Sequence, residues 1–475
     1  MEKILPLFPR QGYPLYKARG TLVYADTRLM KNQVYTRRHM YFSPTSIRVF
    51  SSLMVSVTLW ELCVRIYNYN LYFAPNSLLV WLYERAQLHA MTIHLFGGIF
   101  GTIAILAIQI GILIYALYRL WKGHHPRIAL FMSAFLYLSL IGLHSAATNG
   151  GDILIYTSLL FASIIQPYSK ISYAVGVLQA AVLYISSAYH KSLSIWLPEG
   201  KAVYYVLAND TFGTELGKTL SHFPVLCMAL TYFTIVVLYT AWTLFLIPYK
   251  NYLGRKIAVL LLVTLHMGLS LNMHIQLIGP IMLSFISLFW IYKDHKHVPL
   301  PTKQPLPIAH FVFIYLLIGQ ALFNFDMLHY EQQNTYPPLK MMNLHLSVSG
   351  FKTRYNFFSL DVTKNTWYEV YEPKTGRDLW RGRTLATGQF TKPLAHTEFV
   401  VNDRLNRILY LSSKSPQTME KIGDYFCAQS GAYNITIKRY VNDIIYPESF
   451  YAPTVTYSTT TSTILVQQIC NTSIR

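Results

Sequence analysis

The chain is 475 residues long, 53% hydrophobic and only 13% charged, with a formal net charge of +19. Soluble domains carry about 25% charged residues, so this composition excludes an ordinary soluble enzyme and points to a polytopic membrane protein. The basic excess would suggest nucleic acid in a soluble chain; here the distribution of charge excludes that partner.

The first 45 residues hold eight basic side chains (Lys3, Arg10, Lys17, Arg19, Arg28, Lys31, Arg37, Arg38) against Glu2 and Asp26, with no continuous apolar core. They read as a basic cytoplasmic tail, 1–45, with affinity for anionic lipid, and not as a cleavable signal; the first span is expected to act as an uncleaved anchor. Nearly uncharged runs follow at 47–66, 92–118, 128–147, 153–169, 171–189, 222–248, 257–276, 277–292 and 308–325. Each is near the roughly 20 residues that cross a bilayer core, which predicts a membrane domain of about nine spans over 46–325. With the tail inside, the loops on its side receive Arg119, Lys122, Arg127, Lys170, Lys250, Arg255 and Lys256. The opposite side receives Glu61, Glu84, Asp152, Glu199, Asp210 and Glu215, with fewer bases (Arg65, Arg85, Lys191, Lys201 and Lys218). That is the asymmetry of a positive-inside protein, so the charge is mostly topological.

A Pro-rich connector at 298–307 precedes the last run. Beyond Phe325 short alternating stretches predict strands at 343–349, 366–371, 397–401, 407–411, 434–441 and 462–468. A turn is expected at 374–377 and an amphipathic helix over 417–430. The fold class is therefore a polytopic all-α membrane bundle followed by a small α+β exoplasmic domain over 326–475. Cys427 and Cys470 both fall in that domain, in a compartment that permits a disulfide, whereas Cys63 and Cys227 lie in spans as small hydrophobes. Asn434-Ile-Thr and Asn471-Thr-Ser match the glycosylation pattern.

Lys191 closes the apolar run 171–189. At helical spacing Ala180, Tyr184, Ser187 and Lys191 share one face, which sets the amine over small and polar side chains. An amine held against apolar surroundings releases its proton more readily, which makes Lys191 a candidate base. A lysine snorkelling to the interface is the plainer alternative. Asn149-Gly-Gly-Asp152 lies between two runs on the same side, with Asp152 placed to cap a helix N-terminus. It reads either as half of a pocket facing Lys191 or as a capped turn. Glu61 and Arg65 are four apart and pair on one helix face. His266 and His274 are two turns apart, too far to hold one metal, so packing or lining roles are expected and no metal. Gly217-Lys218-Thr219 imitates the end of a phosphate loop, but Phe212 stands where a glycine is required.

Several of these pieces recur in order. They are Glu61-Leu-Cys-Val-Arg65, Asn149-Gly-Gly-Asp152-Ile-Leu, Gln179-Ala-Ala-Val-Leu-Tyr184, Ala188-Tyr-His-Lys191, Trp196-Leu-Pro-Glu-Gly200-Lys-Ala202 and His266-Met-Gly-Leu-Ser-Leu-Asn-Met273. Together, over roughly 47–290, they resemble the HTTM (horizontally transferred transmembrane domain) family, which includes vitamin K-dependent γ-glutamyl carboxylase. Tyr355-Asn-Phe-Phe-Ser359, Trp367, Gly376-Arg-Asp378 and Tyr425-Phe-Cys427 look like the exoplasmic extension of bacterial members.

The resemblance implies a carboxylase-like lyase with Lys191 as general base and a reduced quinone as co-reactant. On that basis the expected substrate is an exported peptide or a lipid-soluble molecule, at an exoplasmic-facing site built from Asn149, Asp152, Gln179, Tyr184, Lys191 and Trp196; with no signal for a eukaryotic route in the sequence, a bacterial inner membrane is expected. The chain departs from the carboxylase by glycine in place of a histidine after the asparagine, and by lacking the animal enzymes' extended substrate-binding part. A non-catalytic membrane scaffold, or maturation factor for a secreted peptide, is the alternative reading.

Overall fold

The computed structural model describes residues 41–67, 98–143, 150–191, 195–209, 212–247, 252–275, 277–290, 308–325, 337–349, 363–381, 409, 416–448, 451 and 454–470. The tail to residue 40, the connector 298–307, the expected strand at 397–401, nearly all of that at 407–411, Asn149 and Asn471 lie outside the described residues.

Helices occupy each of the nine apolar runs: α1 (Pro44–Tyr67), α2 (Gly98–Trp121), α3 (Arg127–Leu143), α4 (Gly150–Ile164), α5 (Lys170–Tyr189), then, after the short α6 (Ala202–Ala208) and α7 (Glu215–Ser221), α8 (Pro224–Thr240), α9 (Leu253–Asn272), α10 (Ile278–Ser287) and α11 (Ile308–Asn324). Five are long and apolar enough to cross a membrane: α1, α2, α5, α9, and α8 with its continuation to Phe245. The helices at α3, α4, α10 and α11 are apolar but shorter, at 10–17 residues.

Local chemistry sets the starts. Ser43 accepts the amide of Ser46 at 3.0 Å and Pro44 opens α1. Ser169 accepts the amide of Ser172 at 3.2 Å to open α5, and Pro224 opens α8. Of the five long helices α5 is the central one: 78% of its apolar window is buried, against 33–50% for the others.

The two ends of the bundle differ. At one end Phe42, Tyr173, Phe245 and Phe289 form an aromatic cluster, with Phe245 stacked on Phe289 at 4.0 Å. The buried Arg255 guanidinium lies over Phe42 and Tyr173 and donates to the carbonyls of Tyr41, Leu288 and Phe289. Leu288 is the C-cap of α10 and Phe289 follows it, so Arg255 supplies donors at a helix end, where carbonyls lack intrahelical partners.

The other end carries the C-terminal part. A helix, α12 (Pro337–Ser349), packs Met342 and Leu346 against Gly319 of α11. This corrects the strand expected at 343–349: alternating Leu and Ser there serve a helix whose apolar side meets α11. An antiparallel sheet follows, with β1 (Lys364–Glu372), β2 (Arg377–Arg381), β3 (Asn434–Ile445), β4 (Thr456–Tyr457) and β5 (Thr461–Ile469). The central β3 pairs with β1 on one side, from Lys364↔Asp443 to Tyr371↔Thr436, and with β5 on the other, from Asn434↔Ile469 to Val441↔Thr461. The amphipathic α13 (Pro416–Ser430) covers β3 and β5. Its Met419, Ile422 and Phe426 are buried, as are Tyr368, Val370, Ile435 and Ile437 of the sheet.

Cys427 of α13 and Cys470 after β5 form a disulfide, with Cα atoms 5.3 Å apart and a sequence separation of 43. By loop-closure entropy such a link stabilises by about 4 kcal/mol. The Cys470→Ser protein is therefore expected to lose its C-terminal region to limited proteolysis under conditions where the oxidised full chain survives. Equal protease resistance of the two would refute a stabilising role for the bond.

The sheet docks on the bundle through α6. Tyr204 donates to the Ile445 carbonyl at 3.1 Å, Asn209 to the Lys364 carbonyl at 3.0 Å, and Tyr457 to the Ala208 carbonyl at 3.2 Å. Beneath these bonds Tyr204, Val206, Leu207, Cys227, Met273 and Ile444 form one buried apolar cluster.

Candidate functional site

Lys191 follows the last turn of α5, where His190 caps the helix through amide bonds to Ser186 and Ala188 carbonyls. Its backbone amide bonds Ala188 O at 2.9 Å, so the chain folds back and turns the side chain into the bundle. The residue is 4% exposed. Nζ donates to Ser187 Oγ at 2.8 Å and to Ser187 O at 3.1 Å, and lies 5.1 Å from the centre of the Trp196 ring. Burial lowers the amine from the ordinary lysine range to about 7. The plain snorkelling alternative does not describe this side chain, which points into protein.

What it points into is an apolar cavity of about 230 Å³. Its walls come from α5 (Leu183, Tyr184, Ser187), α6 (Val206, Leu207), α8 (Phe233, Leu238), α9 (Leu265, His266, Leu269) and α10 (Met282), with Lys191 and Trp196 at its head. An engineered apolar cavity of about 150 Å³ holds benzene, so this one has room for a substituted ring or a comparable short segment. Among the polar groups in its wall, Tyr184 Oη and His266 Nε2 lie 3.1 Å apart, both buried. The second ring nitrogen of His266, Nδ1, has no partner among the described residues.

Of the residues expected at the site, Tyr184, Lys191 and Trp196 meet at this cavity. Asp152 and Gln179 do not line it. Asp152 opens α4 but turns away into a separate buried cluster with Arg65, Glu61 and Tyr137. Opposite charge within the bundle claims it before any pocket can. Gln179 is buried on α5 three turns before Lys191, roughly 18 Å along the helix, too far to share its surroundings. Asn149 is outside the described residues.

His266 is the partner that spacing alone did not supply. An imidazole in a long apolar helix is costly, and that cost is the signal that marks it. Its contact, Tyr184, lies 82 residues away in sequence.

No family model matches this chain, and neither a curated protein nor a solved structure does. What the coordinates define is a class: a mostly helical protein with five candidate membrane-spanning helices, a small antiparallel sheet, and a buried amine facing an apolar cavity.

Proposed function

We propose that this is a polytopic membrane enzyme of the HTTM type, carboxylase-like, in which Lys191 is the general base. The observation that carries the reading is the placement of one amine, 4% exposed, at the head of an apolar cavity. An amine there spends much of its time neutral near pH 7, as proton abstraction requires.

The apolar cavity of about 230 Å³ has room for the ring of a reduced quinone, which would supply an acidic hydroxyl for Lys191 to deprotonate. The chain's own part is to hold a proton at Lys191 Nζ, to orient a ring by Trp196 and the Tyr184–His266 pair, and to exclude water with apolar walls. In this reading all nine apolar helices traverse the membrane, with the N-terminus cytoplasmic and the sheet exoplasmic, by the positive-inside distribution. A bacterial inner membrane is the proposed location.

A second reading, a scaffold for an exported peptide, draws support from the disulfide-linked sheet docked on the bundle. The two separate in a host that depends on the protein. If Lys191 is the base, Lys191→Ala abolishes function by about 10²–10⁴-fold while membrane insertion and yield stay unchanged. If the scaffold reading holds, Lys191→Ala is tolerated and truncation after Phe325 removes function.

A further inference from the structure

The cavity is shut on the side of the sheet. Val206 and Leu207 of α6, each 2% exposed, form that wall together with Met273, and Ile444 belongs to the same buried cluster. Its exposed lining lies elsewhere, between α8 and α9. Phe233 of α8 is 38% exposed, and Thr264 of α9 is exposed too. The surface around this rim is apolar on both helices: Val236 on α8, and Leu260, Met267 and Leu271 on α9, are all exposed. Such a surface along two helices of membrane-crossing length faces hydrocarbon better than water.

Gly268 sits on the same rim, one turn after Thr264. It lines the cavity, yet a Cβ at this position would meet nothing within 4 Å. Glycine costs a helix about 1 kcal/mol relative to alanine, and no packing contact at the position requires one. Its effect is to leave a gap in the α9 edge of the cavity.

We infer that the cavity is filled sideways from the bilayer, past Gly268, by a lipid-soluble molecule bearing a compact acidic head on an aliphatic tail. The head reaches Lys191 and Trp196, and the tail runs out between α8 and α9. This deepens the proposed function and rests on it for the nature of the head group. The route itself follows from the walls: among the described residues, Val206 and Leu207 of α6 close the side toward the sheet, and the exposed lining lies between α8 and α9.

The test uses the full chain in lipid nanodiscs and an alkyl hydroquinone carrying a diazirine in its tail, with labelled residues mapped by mass spectrometry. In the wild type, label is expected on cavity residues of α8 and α9 such as Phe233 and Leu269. Gly268→Phe, which sets a ring across the rim, is expected to reduce that label by at least about tenfold, equivalent to about 1.4 kcal/mol of binding.

Gly268→Ala should label like the wild type. So should Gly111→Phe, because Gly111 is a position on α2 where a Cβ also meets nothing within 4 Å. Should Gly268→Phe not yield folded protein, Thr264→Trp, one turn away on the same rim, carries the same expectation.

Undiminished labelling in the blocked variants overturns the inference. So does equal loss in Gly111→Phe, or label confined to residues outside the cavity. Lys191→Ala separates this claim from the base assignment. Retained function in Lys191→Ala removes the base, while label that still depends on Gly268 keeps the sideways route.

Discussion

Replacing Arg65 by methionine is expected to destabilise the helical domain by about 3–5 kcal/mol, the cost of leaving buried charge without its counter-charge. Arg65, Glu61 and Asp152 are each 1% exposed. Arg65 Nε donates to Glu61 Oε1 at 2.8 Å, its Nη2 pairs with Asp152 Oδ1, and its guanidinium stands over the Tyr137 ring. Tyr137 Oη adds a bond to the same Asp152 oxygen at 2.9 Å. The cluster also suits both helix dipoles, since Arg65 is in the last turn of α1 and Asp152 in the first turn of α4.

Methionine keeps much of the arginine stem's volume and removes the charge together with its N–H donors, so the two buried carboxylates lose their shared partner. Heat treatment in detergent followed by size exclusion should show Arg65→Met surviving far less than wild type. Adding Glu61→Gln and Asp152→Asn to Arg65→Met should recover part of the loss, because the remaining groups are then neutral. Unchanged survival of Arg65→Met would mean that the carboxylates are not enclosed as described.

Part of this cluster was legible in the sequence and part was not. The i,i+4 spacing of Glu61 and Arg65 announced their pairing, and Asp152 was recognisable as an acid at a helix start. Nothing local told that Arg65 and Asp152, 87 residues apart, would meet. The helices show the same division. Hydropathy located every apolar run, because burial and lipid exposure both select apolar residues. It did not tell where each helix ends. The run 277–292 contains a helix of only 10 residues, and just beyond it Arg255, from another helix, takes the carbonyls of Leu288 and Phe289.

At the cavity, periodicity set Tyr184, Ser187 and Lys191 on one face of α5, and that face is the wall. The same helix also offered Gln179, and sequence order alone could not show that it lies too deep to join them. His266 and the gap at Gly268 arise from α9 packing beside α5 and α8, a tertiary outcome with no spacing rule behind it. Alternating residues at 343–349 misled for a related reason: the contact with Gly319 decides the helix, and that contact is not local.

The second large effect is the pH dependence of Lys191. An ordinary lysine holds its proton to about pH 10.4, whereas burial brings this amine down to about 7. The rate of thiocarbamoylation of Lys191 by phenyl isothiocyanate, taken as the difference between wild type and Lys191→Met, should rise through an inflection near pH 7 and then level off. Any rate that depends on the neutral amine should rise with pH over the same interval.

Stability carries the same sign. Between about pH 7 and the ordinary lysine value the unfolded chain binds the proton that the folded chain has released, so stability rises with pH across that window. Below it both states are protonated, and the cost of enclosing the charge is present in full. Among the described residues, Tyr184 and His266 are the other titratable side chains in the wall of the same cavity. Ser187→Ala removes a hydroxyl acceptor that favours the charged form, so it should move the inflection lower still. An inflection near the ordinary lysine value would show that the amine reaches water. A water-exposed ammonium at this position stays charged at neutral pH and does not serve as the base.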